Sequence, residues 1–304
     1  MTQSQSDRTK LGFIGLGVMG GPMCQNLAEG SGHGVIVHDA SADASAARVG
    51  ANVEVGEDVG RIALPCDTIF LSLPGEVEVR AVCLGAAGLL DNARSGQVIV
   101  DCSTIPVSAS QEIAVAFAAK GAAYVDAPVA GTAQSVGDRK ISVMVGADDA
   151  VFAQVSPLLQ HMAEAVLYCG ASGSGTATKL LLNMVIAQSV VALAEALSLG
   201  RTAGLDGARL FQAFQHGCDS FALRQHGMTA LLPGNFPEGT FPTRYMLKDL
   251  GYVMALKDQL GLTLDGMDVT HALLEKTLAA GHGDAYWPSL IKVIGQDTQS
   301  GESQ

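Results

Sequence analysis

The chain has 304 residues, 48% of them apolar and 16% charged, with a formal net charge of -12. That length allows about two domains with separate cores, and so little charge leaves apolar surface for a subunit interface, so a homodimer or homotetramer is expected. The acidic balance, with no Lys/Arg cluster, argues against nucleic acid or an anionic membrane as partner.

Up to about Gly170, short β-rich runs alternate with helical patterns. The first strand, expected over 11–16, opens into Gly15, Leu16, Gly17, Val18, Met19 and Gly20, followed by a helix-compatible stretch over 22–29. Glycines at this spacing suit a dinucleotide pyrophosphate: one for the tight turn, one for close backbone approach, one for helix–strand packing. With 36 glycines the motif alone is weak. A second strand over 35–38, ending in Asp39, strengthens it, because an acid about 20 residues on accepts hydrogen bonds from the adenine ribose. Further strands are expected over 68–73, 98–102, 123–126 and 141–145, with helices over 108–119 and 149–162. This alternation implies a doubly wound, parallel, Rossmann-like sheet.

After Gly170 the pattern turns wholly helical. A small-residue loop over 171–176 precedes one long helix to about Ala203, then helices over 205–215, 244–260 and 268–280, with a Pro/Gly-rich connection over 232–242. The expected domains are a dinucleotide-binding α/β domain, 10–172, and an all-α domain, 173–296. The uncharged run between Lys179 and Glu195 is interrupted by Asn183, Gln188 and Ser189 and reads as a buried helix, not a membrane span. Residues 2–10 are polar and make no signal peptide, and residues 296–304 read as frayed. Six scattered cysteines without a CxxC pair read as buried small residues in a reducing cytoplasm.

A nicotinamide enzyme needs a group to carry the hydroxyl proton. No tyrosine is followed four residues later by lysine, and the seven histidines are too dispersed for a catalytic metal, so no metal is expected. Lys179 is the charge near the start of the long helix, and Asn183, four residues on, projects from the same face. The residues alone leave open a lysine that merely covers apolar surface with its stem. Asp101-Cys102-Ser103-Thr104 ends a strand where open α/β sheets bind ligands, though spacing alone favours a helix N-cap, Ser or Thr before Pro106. The segment 126–132, with Gly131 and Thr132, offers backbone donors and a hydroxyl, or is an ordinary loop. Lys248-Asp249 reads first as a solvated ion pair.

Taken together and in this order, these segments resemble the β-hydroxyacid dehydrogenase family, which includes 3-hydroxyisobutyrate dehydrogenase, tartronate semialdehyde reductase and the related 6-phosphogluconate dehydrogenases. The resemblance covers about residues 11–294. It rests on the glycine motif, Ser72-Leu73-Pro74, Asp101-Cys102-Ser103-Thr104, Asp126-Ala127-Pro128-Val129, the run from Gly173 to Lys179 with Asn183, and Lys248-Asp249-Leu250. It implies a Rossmann-like domain followed by an all-α domain, with the site in the cleft between them. Activity is then expected on a small 3-hydroxy acid and its semialdehyde or oxo acid, with NAD as cofactor and NADP less favoured, because Asp39 repels a 2′-phosphate and Arg48 is the nearest arginine.

The resemblance makes Lys179 the acid/base and Asn183 a substrate-orienting group, with Ser103, Gly131 and Thr132 also at the substrate. It puts Gly15 to Gly20, Asp39, Leu73, Pro74, Thr104 and Lys248 at the cofactor. Departures fall on substrate contacts: Ala130-Gly131-Thr132 replaces Ser-Gly-Gly, Arg139 stands at a usual glycine, Leu182 precedes Asn183, and Tyr286 and Pro288 stand where Asp and Ser are common. Imine reductases share the scaffold but usually lose the lysine, and a non-catalytic nucleotide-binding protein would need neither Lys179 nor Asn183.

Overall fold

The computed structural model describes residues 10–47 and 52–295, apart from the side chain of Ala133. Arg48, the polar start and the tail over 296–304 lie outside the described residues. The chain forms two compact units, Met1–Lys179 and Leu180–Gln304.

The first unit alternates strand and helix: β1 (Lys10–Ile14), α1 (Gly20–Ser31), β2 (Val35–His38), α2 (Ala42–Ala46), β3 (Val53–Val55), α3 (Val59–Ala63), β4 (Cys66–Leu71), α4 (Glu76–Leu84), β5 (Val98–Asp101), α5 (Val107–Ala118), β6 (Ala123–Asp126), β7 (Val129–Ala130), α6 (Ala133–Gly137), β8 (Ser142–Gly146), α7 (Asp149–Leu159) and β9 (Ala165–Gly170). The sheet order is β3-β2-β1-β4-β5-β6-β8-β7, with β9 also on β8. The chain winds outward from β1 in one direction and from β4 in the other, so the order reverses between them, where doubly wound sheets bind ligands.

Side-chain alternation along each strand builds two cores. Phe13, Val35, Val37, Phe70, Val98, Val100 and Val125 pack in one, and Ile14, Ile36, Ile69, Leu71, Ile99 and Tyr124 in the other. Burial of both faces is why these strands read as continuous apolar runs.

The expectation of a parallel sheet holds from β3 to β6 and fails beyond it. β8 runs antiparallel to β6 and β7, while β9 returns parallel to β8. A parallel return needs a full crossover, usually through a helix, and only the five-residue α6 lies between β7 and β8. β8 to β9 has such a helix, α7.

Helix α8 (Ser174–Thr202) begins in the first unit and continues into the second. It is long and apolar enough to cross a membrane by length and composition, as core helices of soluble proteins also are. The expected burial is one-sided: Leu180, Ala187, Val190, Ala194 and Leu197 are buried, whereas Leu181, Val185 and Leu199 are exposed.

The second unit adds α9 (Gly207–Gly217), a π-helical segment Leu223–Leu231, α10 (Thr243–Gln259), α11 (Asp265–Ala279) and a 3₁₀ segment Trp287–Val293. Phe211, Leu223, Leu231, Met246, Leu250, Met267, Leu274, Trp287 and Leu290 are buried there. The π-helical and 3₁₀ segments were not expected from the sequence.

Candidate active site

The glycine loop follows β1 at the reversal point. Gly15 has φ +92°, and a Cβ there would stand 2.2 Å from the Ser72 carbonyl oxygen. A Cβ on Gly20 would stand 2.0 Å from the Gly15 carbonyl oxygen, so the helix packs directly on the turn. At Gly17 a Cβ would meet nothing within 4 Å, which leaves the space a pyrophosphate needs. Helix α1 has no side-chain cap and no acid in its first turn, so its N-terminal N–H groups and dipole suit an anion. Asp39 holds this loop from the end of β2. Its Oδ2 accepts from the Leu16 N–H at 2.6 Å and its Oδ1 from Ser41 N–H at 2.8 Å. A carboxylate has further lone pairs, so these bonds still leave acceptor capacity for a ribose. Val18 is exposed and Met19 packs partly against the first core. The residues therefore fit a dinucleotide.

Behind this loop the next two segments are tied together. The Ser103 hydroxyl accepts from Leu73 N–H at 2.9 Å, and Asp101 accepts from Ser103 N–H at 2.9 Å and from the Tyr124 phenol at 2.6 Å. Burial, reinforced by the Asp101 charge, keeps the Tyr124 phenol protonated, its pKa raised well above the usual range. Ser103 thus uses its oxygen to fix the Leu73-Pro74 turn, and Thr104 is half-buried beside it in sequence.

The segment expected at the substrate is not an irregular loop. Val129 and Ala130 form β7, and Thr132 caps α6 through a reciprocal box with Ser135, whose N–H reaches the Thr132 hydroxyl at 3.3 Å while Thr132 N–H reaches Ser135 Oγ at 2.6 Å. Gly131 has φ +154°, and a Cβ there would stand 2.5 Å from Ile141. Arg139 adopts φ +59°, the left-handed conformation that explains why a glycine is usual there.

Directly before this segment, Asp126 is 1% exposed and accepts from the N–H groups of Gly173 at 2.7 Å and Thr176 at 2.8 Å. Burial pushes its pKa up to about 6, against the pull of those two N–H groups. Lys179, half-buried, lies one turn further along the same helix.

In the second unit Asn183 is 4% exposed and its Nδ2 donates to Asp249 Oδ2 at 2.8 Å. The other oxygen of Asp249 lies 3.2 Å from Lys248 Nζ, which also stands 5.8 and 5.5 Å from the ring centroids of Tyr245 and Tyr252. A solvated pair is thus the wrong description of Lys248-Asp249: the carboxylate is buried and organises two predicted site residues. Sequence reasoning passed over Asp249, Asp126 and the Asp101–Tyr124 pair as site supports. Gly173, which has no side chain to cap the helix it precedes, was the available signal for a remote cap.

Residues 10–170 match the NAD binding domain of 6-phosphogluconate dehydrogenase, and residues 173–294 match the NAD-binding domain of NADP-dependent 3-hydroxyisobutyrate dehydrogenase. The chain belongs to the β-hydroxyacid dehydrogenase family. It is 34% identical to the mitochondrial 3-hydroxyisobutyrate dehydrogenase of Mus musculus over 256 residues, covering 82% of this chain and 76% of that one. Identity to the 2-(hydroxymethyl)glutarate dehydrogenase of Eubacterium barkeri is 32%, over 95% of this chain and 96% of the relative. The solved structure of 3-hydroxyisobutyrate dehydrogenase from Mycobacterium tuberculosis, with L-serine, superposes with a TM-score of 0.85 at 30% identity, over 94% of this chain and 98% of that one. Membership makes this protein a hydroxyacid dehydrogenase that binds NAD(P), with the Rossmann-like and helical parts expected. An imine reductase from Pseudomonas sp. shares the fold at a TM-score of 0.61 and 18% identity.

Proposed function

We propose that this protein oxidises a small 3-hydroxy acid of the 3-hydroxyisobutyrate type to its semialdehyde or oxo acid, with NAD preferred, and catalyses the reverse reduction. The observation that carries the reading is Lys179, half-buried in the second turn of a helix anchored at the end of β6, with Asn183 one turn beyond it on that helix. A nicotinamide cofactor held by Gly15 to Gly20 and Asp39 would supply the hydride acceptor for the carbinol carbon. The Lys179 amine receives the hydroxyl proton as the carbon–oxygen bond becomes a carbonyl, and returns it in the reverse direction. Asn183, fixed by Asp249, orients the substrate, and Ser103, Gly131 and Thr132 stand at the acid's polar groups. Gly15 to Gly20 receive the pyrophosphate, with Leu73, Pro74, Thr104 and Lys248 along the rest of the cofactor.

NAD preference rests on Asp39. Its carboxylate, held by Leu16 and Ser41, supports NAD because an acid after the second strand repels a 2′-phosphate. A reducing, cytoplasmic setting is part of this reading from the scattered cysteine spacing: Cys24, Cys66, Cys83 and Cys102 are buried as expected, whereas Cys169 is half-buried and Cys218 exposed. The exposed Leu181, Val185 and Leu199 on α8 support a homo-oligomer.

The test is a scan of NADH absorbance over 3-hydroxy acids and the matching semialdehydes, repeated with NADP. Turnover of a 3-hydroxy acid with a higher kcat/KM for NAD is expected. Equal efficiency with NADP would overturn the cofactor assignment, and absence of turnover across the panel would overturn the substrate class.

A further inference from the structure

We propose that Asp126 is a positioning residue for Lys179: its carboxylate caps the helix that carries the lysine and ties that helix to the strand leading into the 129–132 segment. The inference rests on the reading of Lys179 as the proton-transfer group. Helix α8 starts at Ser174, and its first internal bond runs from Ala177 N–H to the carbonyl of Gly173, so Gly173 occupies the capping position without a side chain to cap with. In a capping box two side chains share the work, one accepting from the cap residue's N–H and the other from the N–H three residues on. Here one carboxylate, 47 residues away, does both, with Gly173 at 2.7 Å and Thr176 at 2.8 Å. No acidic residue lies in the first turn of α8, so Asp126 also supplies the negative charge that the helix dipole favours.

The surroundings are shaped for this contact. A Cβ on Gly146 would stand 2.5 and 2.7 Å from the two Asp126 carboxylate oxygens. A Cβ on Gly175 would stand 2.3 Å from the Met144 carbonyl oxygen and 2.7 Å from that of Asp126. Gly173 has φ +90°, and a Cβ there would stand 3.0 Å from Gln111, so a capping side chain on α8 itself is disfavoured. The helix start therefore sits directly on the ends of β6 and β8. Lys179 follows Thr176 by three residues, on the neighbouring turn of the same face. Any displacement of the capped turn is carried to the amine, while the other side of Asp126 leads in three residues to Val129 and then to Gly131 and Thr132.

The test is a double-mutant cycle in the full-length protein, using the hydroxy acid and cofactor selected by the panel. Asp126→Asn keeps one acceptor and turns the other toward an N–H donor. It is expected to lower kcat by on the order of 10- to 100-fold, with the dissociation constant for NAD, measured by calorimetry, little changed. In a Lys179→Ala background the same substitution should leave the residual kcat within about twofold. An equal loss in both backgrounds would make Asp126 structural only and overturn the proposal, as would an unchanged kcat in the single variant. If Asp126→Asn does not fold, Gly146→Ala, which crowds the carboxylate off its partners, is held to the same two outcomes. Should Lys179→Ala itself retain full kcat, the proton-transfer reading fails, and the positioning role with it. Amide exchange over residues 173–176, faster in Asp126→Asn, would then identify Asp126 as a helix cap alone.

Discussion

The side-chain amide of Asn183 donates to Asp249 across 2.8 Å, with both residues buried and 66 positions apart in the chain. Asp249 Oδ1 lies 3.2 Å from Lys248 Nζ, so one carboxylate orients an amide on α8 and a cation on α10. Asp249→Ala is expected to reduce kcat/KM by at least about tenfold through loss of orientation. It should also cost about 1–3 kcal/mol in urea unfolding, because the Asn183 amide stays buried without its acceptor. Asp249→Asn, which keeps an acceptor, should recover much of the stability. A variant with Ala that unfolds at the wild-type urea midpoint would show that the bond does not hold Asn183.

Lys179→Ala is expected to lower kcat by a factor on the order of 10²–10⁴, the usual contribution of general acid/base catalysis. The NAD dissociation constant should persist, since the glycine loop, Asp39 and the Leu73–Ser103 contact are untouched. Turnover near the wild-type rate would move the proton to another group, with Ser103 or a water next in line.

His226 gives a pH dependence of stability. It is buried, its Nδ1 lies 2.6 Å from the Tyr286 hydroxyl, and burial lowers its pKa to about 4. The unfolded value is about 6.5, so the neutral imidazole favours the fold above that pH and its contribution is lost as pH falls from about 6.5 through 4. The full loss is on the order of 3 kcal/mol. Urea unfolding of wild type and His226→Gln at pH 7.5 and 4.5 measures it: the advantage of wild type should shrink at the lower pH. A difference independent of pH would mean that His226 titrates alike in both states.

Arg139→Gly is expected to stabilise the protein by up to about 1 kcal/mol, since a non-glycine residue at φ +59° carries a steric cost of that order. What it gives up is small: an exposed ion pair with Glu29 at 3.6 Å and a 3.3 Å contact to Asn26. Asn26 keeps its 2.8 Å bond to the Val136 carbonyl. A fall in Tm would show that the Arg139 side chain outweighs its backbone.

Much of the first unit was legible in the chain because its signals are local. β2 and β6 fall on the residues expected, 35–38 and 123–126, and α8 ends one residue from the expected Ala203. These are buried apolar runs and one long uninterrupted helical pattern, whose length and flanking turns are written in neighbouring residues. β9 was passed over although Ala165 to Cys169 is a continuous apolar run: Leu167 and Tyr168 are exposed, and what makes it a strand is its pairing with β8. The π-helical segment Leu223–Leu231 was missed because its packing around Phe211 is tertiary: a Cβ on Gly227 would stand 3.0 Å from that ring.

The sequence by itself determined the alternating elements, the glycine turn with its acid at Asp39, and the placing of Lys179 and Asn183 one turn apart on one helix. Each depends on periodicity or on conformational demands met within a few residues. Only the tertiary structure decided that β8 turns antiparallel, that Asp126 caps α8, that Ser103 spends its oxygen on Leu73, and that Asp249 holds Asn183. The side-chain partners among these lie 30 to 66 residues apart. A buried carboxylate or hydroxyl must find a donor wherever the folded backbone brings one, and linear spacing carries no record of which donor that is.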